Sequence, residues 1–403
     1  MAEEATAGSD RFSSLTIGRK IKEWAAPSSF TEEFYFVCLA DTQLGMIEGM
    51  GGSDFLPLVG CDGVKDLYEA EKEFSRTTVN YLNRLRPPPA FVVVCGDLVN
   101  AYPSKTNKYA QEVEDFKNIF SKVSPLIKLV CLCGNHDVGE KPSEADVAVF
   151  NSSFSADYFY FWYGGVKFIS MNSQLYKCDD NAKELALEQD KWFDAQLKGV
   201  RVGVPESSPD RRCCVFSHIP PFIDHQDEAD GYFSFSSKCR KSLLSRLAKN
   251  GCTHWFSGHY HRNVVGTYHD KETGKTIECI TTAAVGGNIL HTEQGVGKRN
   301  ELSGMAAITL DRSLSGMRFV FVKKDCMQHK YVSLQMMERK YMLGSGNQGD
   351  GFTNTLPVKL VENSCGKLKR STEGIKTGCG EGEGKEKKIQ AMHSGPVTKK
   401  QRT

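Results

Sequence analysis

The chain has 403 residues, 40% of them hydrophobic and 25% charged, and a formal charge of +2 at neutral pH. That length holds one large domain, or two ordinary ones, with a substantial core. The composition is that of a soluble globular protein, and the near-neutral balance excludes a chain-wide electrostatic commitment to nucleic acid or membrane.

Met1 to Asp10 is small and acidic, without the basic start and apolar core of a signal peptide. No uninterrupted apolar run approaches the roughly 20 residues of a membrane helix. Neither a nucleic-acid nor a membrane partner is therefore expected. The 14 cysteines invite a disulfide or zinc reading, but Cys38, Cys95, Cys131, Cys133, Cys213 and Cys214 sit inside apolar runs. There cysteine acts as a small buried hydrophobe, and reduced thiols in a cytoplasmic setting are expected.

Residues 1 to 30 read as a polar lead-in. Phe34 to Ala40 has the pattern of a buried strand and stops at Asp41-Thr42-Gln43, before a glycine-rich loop. Helical spacing covers Val64 to Leu85 and is ended by Pro87-Pro88-Pro89. Phe91 to Cys95 is a second buried strand, ending at Gly96-Asp97, and a helix is expected over Gln111 to Val123. Ile127 to Cys133 is the third strand, handing over to Gly134-Asn135-His136-Asp137, with Gly134 expected to let the backbone turn sharply. Tyr158 to Met171 reads as a hairpin about Gly164-Gly165, and Glu184 to Leu197 as a helix. Cys213 to Phe216 ends at Ser217-His218. After a helix over Ser242 to Ala248, Cys252 to Phe256 ends at Ser257-Gly258-His259-Tyr260-His261.

Short strands follow to about Met336. From residue 343 glycine, serine, lysine and glutamate dominate, and a disordered tail is expected through residue 403. Its end, Pro396 to Arg402, is either a short basic targeting signal or a solvated tail.

Taken singly, an aspartate or asparagine after a strand is a turn former or a cap. Here five buried strands each end at a residue able to bind metal: Asp41, Asp97, Asn135, His218, and the pair His259 and His261. Strands alternating with helices favour a largely parallel sheet, whose carboxyl ends gather along one edge. Two carboxylates, an amide and three imidazoles suit borderline divalent metals. The set is too large for one tetrahedral ion and about right for two ions sharing a carboxylate.

Asp41-x-Gln43, Gly96-Asp97, Gly134-Asn135-His136-Asp137, Ser217-His218 and Gly258-His259-Tyr260-His261 resemble, in order, the motifs of the calcineurin-like metallophosphoesterases. The resemblance implies an α/β fold: a β-sandwich flanked by helices in four αββα layers, with a two-metal site at the carboxyl ends of the strands. The implied domain spans residues 31–342. By motif, one metal falls to Asp41 and His261, the other to Asn135, His218 and His259, and Asp97 bridges them. His136 is implied to stabilise the transition state or protonate the leaving alkoxide. The implied activity is a metal-dependent phosphomonoesterase acting through a metal-bridging hydroxide, a serine/threonine-protein phosphatase with phosphoprotein as substrate. A phosphodiesterase or nucleotide hydrolase, or a degenerate phosphate-binding scaffold, are the alternatives.

The chain departs from the family pattern in two places. Gln43 stands where relatives have histidine, so its amide oxygen is a doubtful, weaker and harder ligand; Mn²⁺ or Mg²⁺ is expected over Fe or Zn. Asn100 stands where many relatives carry an aspartate that pairs with the motif histidine, leaving His136 without its usual orienter. Ala101 replaces the phosphate-binding arginine of calcineurin-type phosphatases, and Arg262 is the doubtful candidate for that contact.

Overall fold

The computed structural model describes residues 11–19, 30, 32–50, 56–199, 212–291 and 304–344. In chain order the strands are β1 (Phe34–Leu39), β2 (Leu58–Val59), β3 (Phe91–Val94), β4 (Lys128–Cys131), β5 (Phe159–Tyr163), β6 (Val166–Ser170) and β7 (Arg212–Phe216). They continue as β8 (Cys252–Ser257), β9 (Val264–His269), β10 (Thr276–Thr281), β11 (Asn288–His291), β12 (Met305–Thr309), β13 (Gly316–Val322) and β14 (Met327–Ser333).

The apolar runs become strands covered on both faces, which is why they lack polar alternation. In β1 and β3 the side chains of Phe36, Cys38, Phe91 and Val93 point one way and pack on Phe161, Phe168, Cys214, Phe216 and Phe256 of a second sheet. The intervening Val37, Leu39, Val92 and Val94 point the other way, toward helices Leu67–Arg84 and Thr106–Phe120. On the far side Ile169, Val215 and Trp255 face helices Lys183–Gly199 and Ser237–Lys249. The result is a helix–sheet–sheet–helix sandwich, the architecture the resemblance implies.

One correction concerns the sheet itself. The motif-bearing strands do not share one parallel sheet. β1, β3 and β4 lie parallel in the sheet ordered β14-β13-β1-β3-β4, while β7 and β8 lie in the sheet ordered β5-β6-β7-β8-β10-β9. The site is assembled because the parallel strands of both sheets deliver their carboxyl ends to one rim of the sandwich. A third small sheet, β11-β12-β2, adds a wall there.

Phe36 occupies the centre between the sheets. Its ring stacks on Phe91 at 4.7 Å and meets Phe168, Phe216 and Phe256 edge-on at 5.7, 5.7 and 5.6 Å. Such pairs add to plain area burial. Phe36→Ala should cost about 3–5 kcal/mol. Urea unfolding is the check, and a loss under about 1 kcal/mol would show that this cluster is not the structural centre.

Helix starts follow local capping. Asp66 accepts from the Glu69 N–H, Ser143 and Asp146 form a capping box, and Ser236 opens a helix reaching from Ser237 to Lys249. That helix begins five residues before the expected Ser242, because its first turn has few apolar residues. The polar lead-in expected over 1–30 has an exception: Phe12, Leu15 and Ile17 are buried, and Thr16 bridges to Leu129 beside β4. The expected tail lies outside the described residues beyond 344, as does most of the lead-in. Among the described residues no helix is long and apolar enough to cross a membrane.

Candidate metal centre

Asp41, Gln43, Asp97, His259 and His261 share an uncommon backbone. Their φ values are +51°, +34°, +48°, +68° and +54°, and among the described residues no other non-glycine has a positive φ. Each such residue costs about 1–2 kcal/mol, and strain of this kind collects where function over-determines the chain. Cross-loop bonds hold it: Asp41 N–H to Gly96 O at 3.1 Å, Gln43 N–H to Asp97 O at 2.8 Å, and Gly258 N–H to His218 O at 3.0 Å.

The loops bring together two overlapping groups of buried side chains. Asp41, Asp97 and His261 form one; Asp97, His218 and His259 form the other; within each the ligand atoms lie within 4.8 Å of one another. Asp97 belongs to both. Asn135 joins the second group, with Oδ1 3.0 Å from His218 Nε2. Its amide is oriented by Glu140, whose Oε1 accepts from Asn135 Nδ2 at 2.8 Å and from the Tyr232 hydroxyl at 2.8 Å.

The chemistry of these donors fits a cation. His218 Nδ1 donates to Cys95 O at 2.8 Å, and His261 Nδ1 donates to Gly287 O at 2.6 Å, so both rings turn Nε2 inward. Around His218 Nε2 lie Asn135 Oδ1, His259 Nδ1 at 3.1 Å and Asp97 Oδ2 at 3.3 Å. So many electron-rich atoms converge on a space that at most one proton, or one cation, can reconcile. Gln43 Oε1 is a buried oxygen with no hydrogen-bond partner. An orphaned acceptor at this position fits the first group as a further oxygen ligand.

Burial pushes His259 well below the usual imidazole range and holds His261 down to about 4, leaving both neutral, the ligating state. Burial also pulls His218 down, but the Asp97 and Asp41 carboxylates outweigh it and hold it up to about 9. The field that keeps a proton on His218 in the metal-free chain is the field a divalent cation would satisfy.

Gly134 is not the turn expected of it. Its φ and ψ are −112° and −173°, extended backbone open to any residue. What excludes a side chain is proximity, since a Cβ there would lie 2.1 Å from Asp97 Oδ1. Asp137 is buried and binds backbone: its oxygens accept from Leu98 N–H at 3.0 Å and Gly134 N–H at 2.7 Å. It clamps the β3 loop to the β4 loop and does not reach His136.

His136 is half-buried at the cleft and has an orienter after all. Nδ1 donates to the main-chain carbonyl of Asn100 at 2.5 Å, and the ring stacks on Tyr102 at 4.8 Å and 9°. Its own N–H donates to Asp97 Oδ1 at 2.9 Å. A backbone carbonyl does the work assigned to the missing carboxylate.

The cleft over the centre encloses about 590 Å³. Met46, Met50, Ile289 and Met305 line it as apolar residues, together with Lys105 and with Lys108, which pairs with Glu48 of the helix Met46–Met50 at 3.1 Å. Arg262, the doubtful phosphate contact, is exposed and is not among the residues lining this cleft, following inward-facing His261 in a loop where the next side chain turns out. Lys105, Tyr102, Tyr232 and Glu140 lie on loops without periodicity, and Lys108 lies in the first turn of the helix Thr106–Phe120, ahead of the start expected at Gln111, so none carried a sequence signal. Tyr232 and Phe233, between β7 and the helix Ser237–Lys249, complete the lining.

Two buried ligand groups meeting in a shared carboxylate at the strand ends of an αββα sandwich define a metal-dependent phosphoesterase. Residues 34–263 match the family described as calcineurin-like phosphoesterase, and the chain belongs to that family. It is 34% identical to the human protein named serine/threonine-protein phosphatase CPPED1 over 325 residues, covering 80% of this chain and 88% of the relative. It is 32% identical to the Bos taurus protein of the same name over 331 residues, 82% of this chain and 90% of that one. Among solved structures it is similar to a dimetal phosphatase from Danio rerio, at 15% identity and a TM-score of 0.47, covering 75% of this chain and 96% of that one.

Proposed function

We propose that the chain hydrolyses phosphoserine and phosphothreonine monoesters in proteins, using two divalent cations in this cleft. One cation is assigned to Asp41, His261 and the Gln43 carbonyl, the other to Asn135, His218 and His259, with Asp97 between them. The observation that carries this is the membership of Asp97 in both buried ligand groups. Such a pair, when bound, supplies Lewis acidity to a phosphoryl group and lowers the pKa of water at the site.

The chain's own residues do the rest. Asp97 and Asp41 supply the negative charge that binds the cations, while Cys95 O and Gly287 O keep His218 and His261 in the ligating tautomer. His136 Nε2 faces the cleft and is assigned the proton that the departing alkoxide takes up. The protein substrate is supported by the names of the relatives, and by a cleft whose apolar wall suits flanking side chains and whose Lys105 suits an acidic group, Lys108 being paired with Glu48 at 3.1 Å. Gln43, an oxygen donor where imidazole would be softer, favours Mn²⁺ or Mg²⁺. A reducing, cytoplasmic setting belongs to the same proposal, supported by the free thiols of Cys38 and Cys95, 3.5 Å apart.

Chelation followed by dialysis should abolish turnover of a phosphoserine peptide, and Mn²⁺ should restore it. Full activity without added metal would count against a loosely held cation. Bis(p-nitrophenyl) phosphate should be at least about tenfold poorer than p-nitrophenyl phosphate, on the order of 1.4 kcal/mol in transition-state binding. A diester preference would overturn the monoesterase assignment.

A further inference from the structure

We propose that Asn100 is a positioning residue serving both halves of the centre, its side chain aiming the Gln43 carbonyl at a cation and its main-chain carbonyl fixing the tautomer of His136. This rests on the two-cation reading above. The two departures from the family pattern touch each other: Gln43 Nε2 donates to Asn100 Oδ1 at 3.1 Å.

A glutamine amide can present either its oxygen or its NH₂ to the centre, and the two ends have nearly the same shape. With oxygen inward it attracts a cation; with NH₂ inward it opposes one. The Asn100 acceptor holds the NH₂ end, and Gln43 Oε1 is consequently left buried and unpartnered. Asn100 does this without adding a charge to a site that already holds Asp41 and Asp97.

The backbone of Asn100 is anchored independently of its side chain. Its N–H donates to Leu44 O at 3.0 Å and to Glu112 Oε2 at 2.9 Å, and the next N–H, of Ala101, reaches the same oxygen at 2.7 Å. Glu112 is itself buried. That anchor sets the Asn100 carbonyl, which accepts from His136 Nδ1 and leaves Nε2 toward the cleft as the ring's other proton site. Substituting the side chain should therefore separate the two tasks: the metal side is lost and the His136 side persists.

The experiment uses the full chain and two readouts, Mn²⁺ binding by titration calorimetry and the ratio of turnover on a phosphoserine peptide to that on p-nitrophenyl phosphate. Asn100→Ala should weaken the weaker Mn²⁺ site at least tenfold, while the substrate ratio at saturating Mn²⁺ moves less than about threefold. Asn100→Asp, which keeps an acceptor for Gln43 and adds a negative charge, should bind Mn²⁺ no more than threefold more weakly than the parent. The double variant Gln43→His with Asn100→Ala should recover binding, because an imidazole has no amide to aim; loss of packing alone would not be rescued this way. Unaltered Mn²⁺ binding in Asn100→Ala, or a double variant as weak as the single, overturns the side-chain task. A collapse of the substrate ratio in Asn100→Ala overturns the independence of His136. If the parent chain binds no Mn²⁺ and turns over neither substrate, the two-cation reading fails, and that result differs from all of these. Should Asn100→Ala unfold, Asn100→Leu, which keeps the side-chain volume and removes the acceptor for Gln43, makes the same comparisons alone and with Gln43→His.

Discussion

Asp97→Asn should lower turnover of a phosphoserine peptide on the order of 1,000-fold, the loss seen when a preorganised electrostatic contact at a reacting group is removed. Bound Mn²⁺ should fall from two ions per chain to at most one. The substitution keeps shape and removes charge, so the effect isolates the carboxylate. Asp97 lies in both ligand groups, and no other residue does. As an amide it would offer one oxygen, and its NH₂ would face the position of the second cation. The backbone N–H of His136 now donates to Asp97 Oδ1 at 2.9 Å, and an asparagine oxygen can still accept that bond. Folding should therefore survive, which circular dichroism and the thermal midpoint can verify. Two bound Mn²⁺ and turnover within tenfold of the parent would remove Asp97 from the bridging position, and the shared-carboxylate proposal with it.

The elements legible in the sequence were those with a strong physical reason to carry a pattern. β1 and β3 are covered on both faces and β7 is buried throughout, so Phe34 to Leu39, Phe91 to Val94 and Cys213 to Phe216 are apolar runs ending abruptly where the chain meets the cleft, while half-buried Thr253 and His254 interrupt β8. The residues just beyond them, Asp41, Asp97, His218, His259 and His261, are brought together by sheet geometry and could be gathered from strand ends alone. The division of those strands between two sheets was not legible, since a buried run reads the same in either. Short helices such as Met46–Met50 and Ser173–Lys177 carry too few turns to show a period.

Within the site, what escaped was chiefly work done by the main chain. The carbonyls of Cys95, Gly287 and Asn100 set the tautomers of three histidines, and a carbonyl has no letter in the sequence. Asn100 illustrates the point. Judged by its side chain it looked like a lost partner for His136, whereas its backbone supplies that partner and its side chain serves Gln43. Asp137 errs in the other direction, a conspicuous acid beside the candidate catalytic histidine whose oxygens are spent on the N–H groups of Leu98 and Gly134.

His136→Ala should discriminate between substrates by their leaving groups. A positioned general acid contributes about 10²–10⁴-fold, and only where the departing oxygen needs a proton. Serine leaves as a strongly basic alkoxide, so turnover of a phosphoserine peptide should fall by about that factor. p-Nitrophenolate departs without help, so p-nitrophenyl phosphate should lose less than about tenfold. The geometry supports such a division. The His136 ring reaches the cleft but belongs to neither ligand group, and its link to Asp97 runs through its own backbone N–H, which alanine retains. Loss of the imidazole should leave Mn²⁺ binding within about threefold of the parent, separating this variant from Asp97→Asn in the same titration. Equal losses on both substrates would show that His136 stabilises charge on the phosphoryl group, a task indifferent to the leaving oxygen. A drop in bound Mn²⁺ would instead assign the ring to the metal centre, and the Asn100 carbonyl would then be orienting a ligand.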